Sequence, residues 1–265
     1  MIPKIIHYCW LSGDEFPVDI KRNLQSWKKL LPEYEFILWD TNKINLSQNK
    51  FAEQAFEKKK YAFAADYVRM FALQQYGGIY MDLDVEVLKN FNNLLHLPYF
   101  IGEEYSKTGV IIEAAIIGAE KNAEWVTHCV NYYSDKSFVL PDGSYDLTVL
   151  PAVIKKSVQK SRDVKVMDDN ELNNLSSVLS DSSCLYLFPY DYFSPKDFRD
   201  GKFYISKNTY TVHHFNSSWL PKFSRIRRKI KNILGVKFTN RLVKNPLLNK
   251  MLQFFKKIEA KSNTK

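Results

Sequence analysis

The chain has 265 residues, 45% of them apolar and 15% aromatic, which is enough to build a substantial packed core and excludes a disordered chain. Its three cysteines lack metal-ligand spacing and are odd in number, which fits a reducing compartment and argues against a disulfide framework. The net charge of +9 is uneven, because residues 220–265 hold 14 basic residues and one acid while residues 1–219 hold 24 and 28.

The predicted elements alternate between strands and helices from the N-terminus onward. Residues 2–10 (IPKIIHYCW) indicate a buried strand, a helix follows at about 18–31, and residues 34–40 (YEFILWD) indicate a second strand. This opening predicts an α/β domain with a largely parallel sheet. Further strands are predicted at 98–104, 110–119, 184–188 and 210–215, and further helices near 50–58, 122–135 and 144–160. One domain over residues 1–219 is the simplest organisation.

The most informative stretch is residues 61–88, YAFAADYVRMFALQQYGGIYMDLDVEVL. Its first half predicts an amphipathic helix that ends at Gly77, where a helix C-terminus favours a left-handed residue. The alternation from residue 79 to 87 then predicts one strand, with Asp82, Asp84 and Glu86 on one face and apolar residues on the other.

Acids in this D-x-D pattern, at the end of a buried strand, are costly unless a cation meets them. Mg²⁺ and Mn²⁺ prefer carboxylate oxygens and, when bound, stabilise the charge that develops on a leaving diphosphate. We therefore interpret Asp82 and Asp84 as metal ligands. The alternative is a solvated edge strand whose acids oppose lysines.

Three further positions complete a candidate site. Asp66 and Arg69 share one helix face and could bind sugar hydroxyls and phosphate oxygens, although an ordinary surface ion pair gives the same spacing. Trp10 closes the first strand and is either a core residue or a platform for a nucleobase. A metal–diphosphate contact is predicted at the late segment HHFNSSW, residues 213–219, from His214, Ser217 and Trp219.

Residues 220–265 differ in character from the body. Apolar residues recur at helical spacing among lysines and arginines, which predicts a basic amphipathic helical tail lying on an anionic membrane surface. A nucleic-acid-binding arm is the alternative, since the same charges suit phosphates, but the apolar stripes are superfluous for that role. We therefore expect no nucleic-acid partner.

Four segments together resemble the D-x-D glycosyltransferases of family 32, which include bacterial capsule and lipopolysaccharide transferases and fungal mannosyltransferases, and more distantly the catalytic domains of the large clostridial toxins. The segments are IPKIIHYCW (2–10), AADYVR (64–69), YGGIYMDLDV (76–85) and HHFNSSW (213–219). The resemblance runs through residues 1–120 and returns at 210–219. It implies a GT-A fold, that is, a Rossmann-like nucleotide-sugar-binding domain with a mostly parallel central sheet.

The resemblance also implies roles for the candidate residues at the donor. Trp10 would stack on the base, and Asp66 and Arg69 would hold the sugar and phosphate. Asp84 would ligate the metal directly, while Asp82 would contact the ribose or sugar and reach the metal through water. Asp82, Asp84 and Arg69 would form the catalytic set.

The late segment would finish the site. His214 would fill the last metal-ligand position, although the paired His213 precedes the same loop and the choice between them stays open. Ser217 and Trp219 would contact the metal and diphosphate.

The resulting expectation is a retaining hexosyltransferase that uses Mn²⁺ or Mg²⁺ and a UDP- or GDP-sugar. Its expected acceptor is a lipid-linked or surface-polysaccharide oligosaccharide, as in capsule or lipopolysaccharide synthesis. Because no secretion signal or spanning segment is seen, we expect a cytoplasmic enzyme held peripherally at the inner face of the cell membrane. A catalytically idle relative is a further alternative.

Overall fold

The computed structural model describes residues 1–106, 109–159, 161–196 and 202–215. The strands in these ranges are β1 (Ile5–Cys9), β2 (Glu35–Trp39), β3 (Gly78–Met81), β4 (Val85–Val87), β5 (Tyr99–Glu104), β6 (Ile111–Ala119), β7 (Asp163–Val166), β8 (Cys184–Leu187) and β9 (Thr211–His213). The helices are α1 (Val18–Leu30), α2 (Lys50–Glu57), α3 (Tyr61–Tyr76), α4 (Glu124–Tyr132), α5 (Leu150–Val158), α6 (Asp169–Leu172), α7 (Leu175–Ser180) and α8 (Tyr190–Phe193).

Five strands form the central sheet in the order β2-β1-β3-β6-β5. β1 is parallel to both of its neighbours, β2 and β3, whereas β6 is antiparallel to β3 and to β5. Four of these five strands therefore run in one direction and β6 is reversed. The predicted α/β class with a mostly parallel central sheet is confirmed.

Helix α3 is covered by protein on most of its circumference, which differs from the amphipathic helix that the sequence predicts. It packs against β1 and β3 on one side and against α2 and α4 on others. Its buried residues, from Phe63 to Leu73, include Arg69, whose side chain is only 6% exposed. Because helices surround it, α3 can present a charged side chain inside the protein, next to the sheet, where an ion pair is weakly screened.

The turn between α3 and β3 is held by a buried histidine on β1. Gly77 has φ +64°, as the predicted helix end requires, and a Cβ there would lie 2.6 Å from the backbone nitrogen of Lys121. Nε2–H of His7 donates to the Gly77 carbonyl at 2.8 Å, and Nε1–H of Trp39 donates to Nδ1 of His7 at 3.1 Å. These two hydrogen bonds fix the start of β3 against the centre of the sheet.

The D-x-D motif lies in a turn, so the single strand predicted over 79–87 is wrong. β3 ends at Met81, the N–H of Asp82 makes one more bond to the carbonyl of Ala115 on β6, and the N–H of Val85 closes a turn onto the Asp82 carbonyl. β4 then leaves the central sheet and pairs with β9. Apolar and acidic side chains still alternate between the core and the other side, because Val85 is buried. The turn places the carboxylates at the edge of the sheet.

Two small sheets complete the described part of the chain. β4 and β9 pair antiparallel, with Val85 opposite His213, and β7 and β8 pair in parallel. β7, α6, α7 and α8 were not predicted, because segments of four to six residues carry too little periodicity to be recognised.

None of the helices that the structure describes combines the length and apolar character needed to cross a membrane. Residues 220–265 lie outside the described ranges, so their amphipathic helices stay a prediction.

Candidate active site

Two neighbouring segments of the sequence and one distant segment meet at the carboxyl end of β3. The D-x-D turn follows β3, Arg69 reaches it from α3, and β9 brings His213 alongside through its pairing with β4. Ligand sites in open α/β sheets characteristically lie at the carboxyl ends of the parallel strands. We take this meeting point as the candidate active site.

Arg69 connects the helix, the D-x-D turn and β6. One guanidinium nitrogen, Nη2, lies 2.7 Å from Oδ1 of Asp82, and the other, Nη1, donates to the carbonyl of Ala114. The guanidinium also lies over the ring of Tyr80, 4.4 Å from its centroid. Burial lowers the pKa of Arg69, but the neighbouring Asp82 carboxylate and the other acidic groups around Arg69 raise it by more. Arg69 is therefore a fixed positive charge. Nε of Arg69 is buried and has no hydrogen-bond partner within the described residues.

Asp66 lies one helical turn from Arg69, as predicted, and the two side chains form a loose pair with 3.7 Å between Oδ1 and Nη2. Burial raises the pKa of Asp66 to about 7, with Arg69 opposing that rise and Asp82 adding to it. Asp66 is therefore a carboxyl group that can donate a hydrogen bond near neutral pH, which suits recognition of hydroxyl groups.

Asp82 and Asp84 differ in their surroundings. Burial raises the pKa of Asp82, while Arg69 lowers it and the nearby Asp84 raises it further. Oδ1 of Asp84 lies 3.5 Å from Nε2 of His213. Asp82 is thus the carboxylate paired with the arginine, and Asp84 is the one that faces the histidine.

Of the two late histidines, between which the sequence left the choice open, His213 is the one that lies beside the D-x-D turn, and metal ligation by His214 stays a prediction. Successive residues of a strand point to opposite sides, and β9 turns His213 toward Asp84. Nε2 of His214 instead lies 2.8 Å from a carboxylate oxygen of Glu86, and Lys196 donates to the His214 carbonyl. Glu86, which had no role in the predicted site, is therefore the partner of His214.

Glu113 on β6 is a site residue that sequence reasoning missed. It is fully buried, its Oε2 lies 3.2 Å from Nδ1 of His213, and its Oε1 accepts the N–H of Ala115 at 2.6 Å. Burial raises the pKa of Glu113, but His213 and the hydrogen bonds outweigh this, so that pKa falls below its usual value. At His213, burial lowers the pKa, but the carboxylates of Glu113 and Asp84 outweigh burial and raise the pKa well above its usual range. The only available signal was an acid in an apolar strand pattern, VIIEAAIIGA.

Trp10 lies at the end of β1 and is half-buried. Its Nε1–H donates to the carbonyl of Asp14 at 2.7 Å, and its ring packs against Phe16 with 5.3 Å between centroids. Trp10 lines an open cleft of about 500 Å³ together with Phe16, Leu38 and Asp40, among others. The side chain is thus held rigid at a cleft rather than enclosed in the core, and its role toward a base stays a prediction.

The remaining predicted residues, Ser217 and Trp219, lie outside the described ranges. Their contacts with metal and diphosphate stay predictions.

The donor set at the turn suits a divalent cation. One ligand atom from each of Asp82, Asp84 and His213 lies within 4.8 Å of the others. Two carboxylates and an imidazole can ligate Mn²⁺ or Mg²⁺, and the oxygen majority matches the preference of these hard ions. The residues present therefore fit the predicted metal.

The chain is similar to proteins that are named as glycosyltransferases. Residues 17–101 match the family model described as a glycosyltransferase sugar-binding region containing a DXD motif. An uncharacterized glycosyltransferase of Acanthamoeba polyphaga mimivirus is 28% identical over 83% of this chain and 85% of its own length. Inositol phosphoceramide mannosyltransferase 3 of Schizosaccharomyces pombe is 36% identical over 38% of this chain and 29% of its own length. The solved PaToxG glycosyltransferase is 20% identical over 66% of this chain and 73% of its own, with a TM-score of 0.45.

The protein is therefore a glycosyltransferase. The segment similar to the D-x-D family model is residues 17–101, and the resemblance drawn from the motifs is confirmed. The match spans less than a third of the S. pombe relative, so the substrates of that protein do not transfer directly.

Proposed function

We propose that this glycosyltransferase is metal-dependent and transfers a hexose, with retention of configuration, from a nucleotide diphosphate sugar. The observation that carries the proposal is the convergence of Asp82, Asp84 and His213, with Arg69 beside them. Carboxylates gathered around a buried arginine suit a ligand that carries both phosphate and hydroxyl groups.

In this proposal Asp84 and His213 ligate the cation directly, and Asp82 reaches it from its pairing with Arg69. When bound, Mn²⁺ or Mg²⁺ neutralises charge on the diphosphate that leaves. Arg69, whose guanidinium lies at the D-x-D turn, binds a phosphate oxygen or sugar hydroxyl. Asp66, whose pKa is near 7, donates to or accepts from a sugar hydroxyl.

Retention by attack on the departing face is compatible with the engagement of the acids at the site. Asp66 and Asp82 pair with Arg69, and Glu113 bonds to His213, so each of these carboxylates has a partner. None of them is placed as an unpaired nucleophile. Retention by attack on the same face from which the diphosphate leaves requires no such residue.

The cleft beside Trp10 is proposed to take the nucleobase, uracil or guanine. Its volume of about 500 Å³ falls within the range of small-molecule sites, and Trp10 gives it an aromatic wall. Stacking on an aromatic ring contributes about 1–3 kcal/mol per base.

We further propose a lipid-linked or surface-polysaccharide oligosaccharide as acceptor, as in capsule or lipopolysaccharide synthesis. The S. pombe relative is named for mannosyl transfer to inositol phosphoceramide, a lipid, which supports an acceptor at a membrane. The 14 basic residues of segment 220–265 support attachment to an anionic leaflet, at about 1 kcal/mol for each basic residue near the surface. In this proposal residues 1–219 are the catalytic domain and residues 220–265 hold it at the inner face of the membrane. Flotation with anionic liposomes, compared with a gel shift on duplex DNA, tests this attachment; DNA binding without flotation would refute it.

Release of free sugar from UDP- and GDP-hexoses tests the central proposal. Wild-type protein should release sugar with Mn²⁺ or Mg²⁺ and stop when EDTA is added. Asp84→Asn should lower the rate at least about 100-fold, since a ligand and its charge are lost. Glu86→Gln is the matched control, because Glu86 is also acidic, lies two residues later and bonds only His214 among the contacts described above. Equal rates in wild type and Asp84→Asn would refute the metal assignment, and a first-formed sugar of inverted configuration would refute retention.

A further inference from the structure

A short segment of β6, residues 113–115, contacts three of the site residues at once. The carbonyl of Ala114 accepts from Arg69, and the carbonyl of Ala115 accepts the N–H of Asp82 at 2.8 Å. The side chain of Glu113 reaches His213. Two of these contacts use the backbone and tolerate many side chains, whereas the third depends on the carboxylate of Glu113.

A buried carboxylate in a sheet is costly, so its partners indicate its role. Both oxygens of Glu113 are engaged, Oε1 by the N–H of Ala115 and Oε2 by Nδ1 of His213. Glu113 therefore has a fixed orientation and is turned toward the imidazole of His213.

An imidazole can bind a cation only through a nitrogen that carries no proton. A carboxylate that accepts Nδ1–H keeps that proton on Nδ1 and leaves Nε2 for the cation, and such partners of ligating histidines are worth about 10- to 100-fold in metal affinity. Nε2 of His213 is the nitrogen that faces Asp84, at 3.5 Å. With a cation bound, Nδ1 would therefore carry the proton and Nε2 would face the cation.

We propose that Glu113 is a positioning residue that holds His213 by Nδ1–H, so that Nε2 is presented to the cation beside Asp84. This proposal rests on the metal-dependent function above, and it adds a residue outside the D-x-D motif and outside the matched segment 17–101. In this proposal Glu113 acts through His213, since its two oxygens accept Nδ1–H of His213 and the N–H of Ala115.

The substitution Glu113→Gln separates this role from packing. Glutamine has nearly the same shape but only one acceptor oxygen. If that oxygen keeps the N–H of Ala115, the amide NH₂ faces Nδ1 of His213 and donates to it, which places the ring proton on Nε2 and blocks the cation. The full-length variant should therefore fold and yet bind Mn²⁺ about 10- to 100-fold more weakly than wild type.

Mn²⁺ affinity, measured by electron paramagnetic resonance without nucleotide sugar, is the readout. The same substitution is made in a His213→Ala background, where it should change affinity less than about twofold, since there is no ring left to orient. Glu104→Gln is the matched control, because Glu104 lies in the same cluster with Glu113 and His213 and carries the same charge. Equal losses in both backgrounds, or from Glu104→Gln, would refute positioning through His213.

Nitrogen-15 NMR of the histidine ring in wild type with Mg²⁺ gives a second test that needs no substitution. The proton should be on Nδ1 and Nε2 should be free of it; a proton on Nε2 overturns the proposal even if Glu113→Gln fails to fold. Wild-type protein that binds no Mn²⁺ would refute the proposed function together with this inference. Equal Mn²⁺ affinity of the wild-type protein and of Glu113→Gln would refute this inference alone.

Discussion

The buried His7 should make the stability of the protein depend on pH in acid. Burial lowers the pKa of His7 to about 4 from its usual value of 6.5, with the Gly77 carbonyl opposing the effect and Lys43 adding to it. The unfolded chain therefore binds a proton between these two pH values that the folded chain does not bind. Stability from neutral His7 is complete above pH 6.5 and is lost as pH falls toward 4. The shift corresponds to about 3 kcal/mol of unfolding free energy.

The variant His7→Gln provides the comparison. Its amide can donate to the Gly77 carbonyl or accept from Trp39, but it does not titrate. Urea denaturation of both proteins between pH 7 and pH 5 gives two plots of unfolding free energy against pH. Wild type should lose about 2 kcal/mol more than His7→Gln over this range, because other groups contribute alike to both. Parallel plots would refute the buried neutral state of His7.

Three further changes have definite expected results. Arg69→Met should cost about 3–5 kcal/mol in urea denaturation, because it leaves two partly buried carboxylates without their buried cation, and a smaller loss at neutral pH than at acid pH would contradict this. Gly118→Ala should cost about 1–3 kcal/mol, since a methyl group there overlaps the buried ring of Phe100; the added change Phe100→Leu should recover part of the loss if that contact is the cause. Trp10→Ala should weaken binding of the nucleoside diphosphate in calorimetry by about 1–3 kcal/mol while the melting temperature changes little. A large drop in melting temperature with unchanged affinity would show that Trp10 is a core residue.

The parts of the fold that could be predicted are those with a local signal. The apolar runs of β1 and β2 and the helical spacing of α1 are readable within ten to fifteen residues, and they predict the parallel opening of the sheet. Arg69 and Asp66 were recognised for the same reason, because their spacing on α3 brings them to one face.

The break between β3 and β4 had no such signal. Leu83 and Val85 continue the alternation of a strand although residues 82–84 form a turn, since both side chains still point into the core. The turn arises from tertiary pairing, because β3 pairs with β6 in the central sheet while β4 pairs with β9 in a separate sheet. A pattern of period two does not distinguish one strand from two short strands joined in register.

The choice between the two histidines and the role of Glu113 depended on contacts over long separations. Glu113 and His213 are 100 positions apart, and neither lies in the segment that matches the D-x-D family model. A single acid in a β pattern indicates its function only once its partner across the structure is known.

The attachment of β9 has a consequence for heat inactivation. β9 is paired with β4 through three residue pairs, and its last residue is the proposed ligand His213. So short a ladder can open without unfolding the central sheet. On warming, activity should then be lost at a lower temperature than the fold. Mn²⁺ should reduce the difference between these two temperatures, because it would bind only the form in which β9 is paired with β4. The same opening should make the amides of β9 exchange with deuterium faster than those of β1 and β3, so the least stable part of the sheet region would be the proposed metal site.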